Sequence, residues 1–132
     1  MHLPSLTKET TAKRLVLIVD ADYSTLYTFS LALVSHGYRT LTEQSATGVF
    51  SSLRNNPVDA IVIDPDLIEM DSDALTEQIR RHHPKIPLLI VAYEPPNNFT
   101  PSPLTQFLPK PPLPSTIRDA IDSFFEASPY SS

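Results

Sequence analysis

Three stretches of the chain are apolar without interruption: residues 15–19 (LVLIV), 60–63 (AIVI) and 87–92 (PLLIVA). Runs of this length that do not alternate with polar residues read as strands buried on both faces, the habit of a parallel sheet. Between them the spacing turns helical. Leu26, Phe29, Leu33 and Val34 predict a helix over 23–36, and Gly37 supplies its stop. A short strand is expected over 38–42. Ser45 can cap a helix over 46–55 that turns Val49, Phe50 and Leu53 inward and ends before Pro57. Asp73 is expected to open a further helix running to His83, with Ala74, Leu75 and Ile79 inward and Pro84 closing it.

Past the third apolar run the pattern breaks. Residues 93–105 hold four prolines and two asparagines, and an interior proline costs a helix ~3 kcal/mol. This stretch therefore reads as an irregular connection. A short strand is expected over 106–108. Ser115 is expected to cap a last helix with Ile117, Ile121, Phe124 and Phe125 inward. Residues 1–13 and 128–132 are polar and aperiodic and read as tails around a unit spanning 14–127. Strands alternating with helices imply a parallel sheet covered by helices on both faces. Right-handed crossovers then leave few topologies.

Composition narrows the function. A chain of 132 residues with 41% hydrophobic content suits one domain with one core. The net charge of −5 and the lack of any basic cluster beyond Arg80-Arg81-His82-His83 argue against a nucleic-acid surface, which needs grouped lysines and arginines. With no cysteine the chain has neither disulfides nor thiolate metal sites, and a cytoplasmic location fits. No apolar segment nears the ~18 residues of a membrane span, and 1–13 is too polar for a signal peptide. Adjacent His82 and His83 point about 100° apart on a helix, so they read as a basic helix end favoured by the dipole rather than as a metal pair. The proline-rich stretch could offer a polyproline face to a partner; a stiff surface loop in place of a helix is the simpler reading.

The chemistry collects at the strand ends. The first run stops at Asp20-Ala21-Asp22 and the second at Asp64-Pro65-Asp66; Lys110 follows the short last strand. In open parallel sheets, ligands bind beyond the carboxyl ends of the strands. Carboxylates meeting there can hold a hard cation such as Mg²⁺, and a carboxylate can attack a phosphoryl group. Lysine is a point-charge partner for either. The same acids can equally serve as caps and solvated loop residues, the reading preferred for Asp66, Asp71 and Asp73 and open for Asp22.

The segments Leu17-Ile18-Val19-Asp20-Ala21-Asp22, Val62-Ile63-Asp64-Pro65-Asp66-Leu67-Ile68-Glu69-Met70-Asp71 and Phe107-Leu108-Pro109-Lys110-Pro111 resemble the three signature segments of the bacterial response-regulator receiver domain. The resemblance covers about 14–127. It implies a flavodoxin-like three-layer sandwich whose five-stranded parallel sheet runs in the order 2-1-3-4-5. It also implies two-component or phosphorelay signalling by protein–protein contact. Asp64 falls on the phosphoacceptor, Lys110 on the lysine that pairs with the phosphate, and Ala92 and Phe107 on the switch positions; Asp20, Asp64 and the backbone or side chain of Asp66 are the implied metal ligands. The implied partners are a histidine kinase or phosphotransfer protein and an output protein. Family members often pair through the last helix, so a homodimer is consistent with the resemblance.

Departures from the family pattern are specific. Ala21 stands where a second metal acid is usual, so Mg²⁺ binding is expected to be weak or absent unless Asp66 or Asp22 compensates. Ala92 stands where a Thr or Ser hydroxyl normally reaches the phosphoryl group. Ser72 replaces the usual Gly. The family's fourth helix is expected to be shortened or replaced by the proline-rich loop. The result is an atypical receiver, or a pseudo-receiver whose binding does not depend on phosphate. A second resemblance links Asp20-Ala21-Asp22-Tyr23-Ser24-Thr25-Leu26 to the nucleophile loop of haloacid-dehalogenase-type phosphatases, with Asp20 as nucleophile and Asp22 as acid/base. Its spacing to Thr25 is one residue too long and the usual loop Gly is missing. Turnover of a phosphate ester would separate that enzyme from a receiver, which is not one.

Overall fold

The structure is a computed structural model that describes residues 13–67, 69–97 and 99–126. The expected tails, apart from Lys13, lie outside the described residues. Nine elements follow in order: β1 (Leu15–Val19), α1 (Tyr23–Ser35), β2 (Arg39–Glu43), α2 (Ala46–Asn55), β3 (Ala60–Ile63), α3 (Ser72–His82), β4 (Leu88–Ala92), β5 (Thr105–Pro109) and α4 (Pro114–Phe125). The five strands form one parallel sheet in the order β2-β1-β3-β4-β5, as the resemblance implies.

The side-chain period of two explains the layers. Leu17, Val19, Ile61, Ile63, Leu88 and Ile90 point to one face, where Val49, Leu53, Leu75 and Ile79 of α2 and α3 cover them. Val16, Ile18, Ala60, Val62, Leu89 and Val91 point to the other, against Leu26, Phe29 and Leu33 of α1 and Ile117 and Ile121 of α4. Each such side chain contributes on the order of 1.5–3 kcal/mol by leaving water. The edge strand β5 tolerates Pro109, because an edge position does not need every amide.

The helix ends follow local chemistry. Asp22 caps α1 by accepting from the Thr25 amide at 3.1 Å and the Thr25 hydroxyl at 2.6 Å. Gly37, at φ +98°, closes α1, with the Tyr38 amide bonded to the Leu33 carbonyl and the Gly37 amide to that of Val34. Ser45 caps α2 as expected. Two expectations are corrected. The cap of α3 is Asp71, and the helix starts at Ser72; Asp73 instead accepts from the backbone and side-chain amides of Asn97 at 3.1 and 3.0 Å. Ser115 caps nothing, since α4 begins with Pro114 at its first turn, where a missing amide costs least. Val34, which shares the helical spacing of Leu26, Phe29 and Leu33, is 51% exposed.

Between β4 and β5 no helix forms among the described residues. Phe99 packs on Phe107 with ring centroids 6.0 Å apart. Arg80, read from sequence only as part of a basic helix end, is the main tie. Its guanidinium donates to the carbonyls of His83, Pro84, Ile86 and Leu104 and to the Thr105 hydroxyl at 2.7–3.2 Å. One planar fork thus joins the end of α3 to the start of β5. An ammonium cannot span that spread of acceptors. Arg80→Lys is therefore expected to cost about 1–3 kcal/mol of stability, read as a lower urea midpoint; an unchanged midpoint would refute the role.

Candidate functional site

The sheet ladder carries the carboxyl ends of four strands to one edge. The Asp64 amide bonds to the Val19 carbonyl (2.8 Å), the Asp20 amide to the Glu43 carbonyl (3.2 Å), and the Lys110 amide to the Ala92 carbonyl (2.9 Å). Parallel pairing in register therefore places Asp20, Asp64, Ala92 and Lys110 side by side at the carboxyl ends of β1, β3, β4 and β5. These residues are up to 90 positions apart in the chain.

Asp20 and Asp64 are both buried, at 6% exposure. Each is oriented by the backbone two residues on. The Asp22 amide donates to Asp20 Oδ1 at 2.8 Å, and the Asp66 amide donates to Asp64 Oδ1 at 3.1 Å. Lys110 Nζ pairs with Asp64 Oδ2 and lies 5.2 Å from the centroid of the Tyr93 ring. Burial raises the Asp20 pKa above the ordinary 3.8; the Asp22 amide bond and Lys110 oppose this, while the charges of Asp64 and Asp22 add to it. Burial also pulls the Lys110 ammonium down. The hydrogen bond to Asp64 and the charges of Asp64 and Asp20 outweigh that, and its pKa is raised. The lysine stays protonated and neutralises one of two adjacent carboxylates.

Two clefts flank the pair. One, of about 430 Å³, runs between α1 and the turn after β5 and is lined by Asp20, Thr25, Thr28, Tyr93, Lys110 and Pro111. The other, of about 290 Å³, is lined by Asp64, Asp66, Ala92, Asn97 and Lys110. Asp64 thus sits at an edge that an incoming group can reach.

The donor set falls short of a three-acid cation site. Among the described residues no group of three or more His, Asp or Glu side chains is arranged to hold a metal ion. Ala21 offers only its carbonyl, which already accepts from Gln44 Nε2 at 3.0 Å. Asp66 is exposed, and what it gives the site is its amide. Asp22 is held by Thr25, whose hydroxyl keeps its pKa low. Neither acid joins Asp20 and Asp64 in a three-acid group among the described residues. The capping bond also leaves Asp22 poorly suited to act as the acid of a phosphatase. Phe107 is half-buried and packs against Phe99 in the core under α2 and α3. Tyr93, exposed over Lys110, was not singled out from sequence; its only signal there is its place directly after the Ala92 strand end.

The sequence model of the response regulator receiver domain matches residues 16–122. No curated protein matches the chain. Solved structures similar to it are receivers. The chemotaxis response regulator CheY4 of Vibrio cholerae superposes with a TM-score of 0.73 at 21% identity, covering 86% of this chain and 99% of that one. The response regulator receiver protein of Sinorhizobium medicae gives 0.76 at 18%, covering 89% and 98%. The signal receiver domain of an HD domain-containing protein from Pseudomonas fluorescens gives 0.76 at 19%, covering 86% and 94%. These likenesses establish the fold, and the family match over most of the chain settles its kinship: this protein belongs to the response regulator receiver domain family of two-component signalling.

Proposed function

We propose that this chain is an atypical receiver that signals by protein–protein contact, with Asp64 as its phosphoacceptor and a histidine kinase or phosphotransfer protein as donor. The observation that carries the reading is the pairing of buried Asp64 with half-buried Lys110 at the cleft edge. In the transfer, an Asp64 carboxylate oxygen bonds to phosphorus as the bond from phosphorus to the donor histidine nitrogen breaks. The donor nitrogen keeps that electron pair. Lys110 lies where it can exchange its carboxylate partner for a phosphoryl oxygen without moving its backbone.

A second reading rests on two observations. Two adjacent carboxylates stand in place of three, so Mg²⁺ binding is expected to be weak, because affinity follows ligand charge. At β4 a methyl, not a hydroxyl, ends the strand, so no Ala92 side-chain hydrogen bond can couple a phosphoryl group to the loop that follows. Under this reading the module binds its output partner whether or not Asp64 is modified.

An amide NMR titration with Mg²⁺ and beryllofluoride, an aspartyl-phosphate mimic, decides between them. The first reading predicts shifts at Asp20, Asp64 and Lys110 that Asp64→Asn abolishes. Silence at millimolar levels overturns it in favour of the second. Ala21→Asp, which restores a third carboxylate, is expected to tighten Mg²⁺ about tenfold; an unchanged titration would count against the assignment of the gap.

The raised pKa of Asp20 has a stability consequence. Between 3.8 and its raised value the folded state binds more protons than the unfolded one, so stability falls as pH rises through that window. Above it the ionised Asp20 is a net cost. Asp20→Asn keeps the acceptor for the Asp22 amide. It should raise the urea midpoint at pH 7, with a gain that shrinks as the pH drops towards 4; a lower midpoint at pH 7 would contradict the account.

A further inference from the structure

The outer side of α1 is apolar along its length. Tyr23, Tyr27, Leu31 and Val34 are 71, 62, 54 and 51% exposed. At 100° per residue all four fall within an arc of ~80°, beside the buried stripe of Leu26, Phe29 and Leu33. The helix contains no Asp, Glu, Lys or Arg. A solvated helix ordinarily turns charged residues outward; this one turns outward two tyrosines, a leucine and a valine.

We propose that this stripe is a two-fold interface between copies of the chain, with α1 packed antiparallel against α1 of its partner. Three features favour a second copy as the occupant. The first is area: the four side chains leave on the order of 500 Å² in water, at the upper end of what a monomer shows in one patch. Pairing two such patches buries on the order of 1,000 Å², the lower bound of a specific interface. The second is shape. The stripe is graded, with tyrosines at its start and smaller aliphatic residues at its end. An antiparallel two-fold sets Tyr23 against the partner's Val34 and Tyr27 against the partner's Leu31, large against small, at both ends at once. The third is charge: a stripe without charges meets its own copy without repulsion and offers nothing for a charged partner to select.

The geometry of the stripe agrees. Tyr23, Tyr27 and Leu31 form a ridge at four-residue spacing, which packs into the three-residue grooves of a facing helix at a shallow crossing of about 20° and keeps both ends of the stripe in contact. Ser30, on the flank of the stripe, bonds to Thr40 of β2 at 2.6 Å, so the interface lies on the β2 side of the molecule. Thr25 and Thr28, which line the Asp20 cleft, lie on the other flank. The interface differs from pairing through the last helix, the mode expected from the family resemblance. It does not depend on phosphorylation of Asp64.

The test uses the full chain. Sedimentation equilibrium is expected to show a dimer at tens to hundreds of micromolar, and Leu31→Glu to weaken it about tenfold or more. The chain has no cysteine, so single cysteines report orientation cleanly. Mild oxidation of a mixture of Tyr23→Cys and Val34→Cys should give the mixed disulfide, while Val34→Cys alone should stay unlinked, its two copies being ~16 Å apart along the helices. A chain that is monomeric throughout this range, whatever else covers the stripe, overturns the proposal. So does a dimer indifferent to Leu31→Glu, or ready self-linking of Val34→Cys. Circular dichroism of Leu31→Glu guards against misfolding, and the cysteine pair decides if that variant does not fold.

Discussion

Every residue of β1 and β3 is buried, and strands without a wet face must be covered twice. This constraint organises the molecule. Alternate side chains of the same strand feed two separate cores, one under α2 and α3, the other under α1 and α4. Helices on both sides require crossover connections, which make neighbouring strands parallel. Parallel strands in turn bring their carboxyl ends to a single edge. The positions of Asp20, Asp64 and Lys110 follow from the burial of hydrocarbon, before any chemistry is considered.

That scaffold also accounts for what the proline-rich connection can discard. A helix between β4 and β5 would ordinarily cover that end of the sheet and satisfy its own backbone. Here Arg80 satisfies four carbonyls at the junction, Asp73 holds Asn97, and Phe99 covers Phe107. The family's surface is rebuilt from side-chain-to-backbone bonds. The apolar stripe of α1 lies on the face opposite that connection, and the proposed self-association moves from the last helix to its neighbour α1.

The edge itself is a two-carboxylate site tuned by one lysine. Burial disfavours charge on Asp20, and Lys110 offsets charge on Asp64. In the proposed transfer such a site would present the Asp64 carboxylate with less cation assistance than three acids would give. Its link to the rest of the molecule is thinned at Ala92, where a backbone carbonyl is engaged and no hydroxyl exists. Family membership and an altered response are therefore compatible within one fold.

The unbroken apolar runs, the helical spacing between them and the punctuation at Ser45, Gly37 and Pro84 were enough to read the strands, the helices and the two-sided sheet, because local pattern and burial agree there. The acids and the lysine at the strand ends were legible for the same reason: a strand that stops at a charge stops where the sheet meets water. Only the tertiary structure decided the rest. That Asp73 holds Asn97 while Asp71 caps α3 depends on the connection after β4 arriving beside that helix. That Arg80 is a clamp depends on carbonyls 24 positions away. That Val34 faces water depends on how α1 rolls over the sheet, which a helical repeat alone leaves free. Whether Asp66 or Asp22 could stand in for the acid missing at Ala21 was likewise set by three-dimensional neighbours: one is exposed and gives the site its amide, and the other is bound to Thr25.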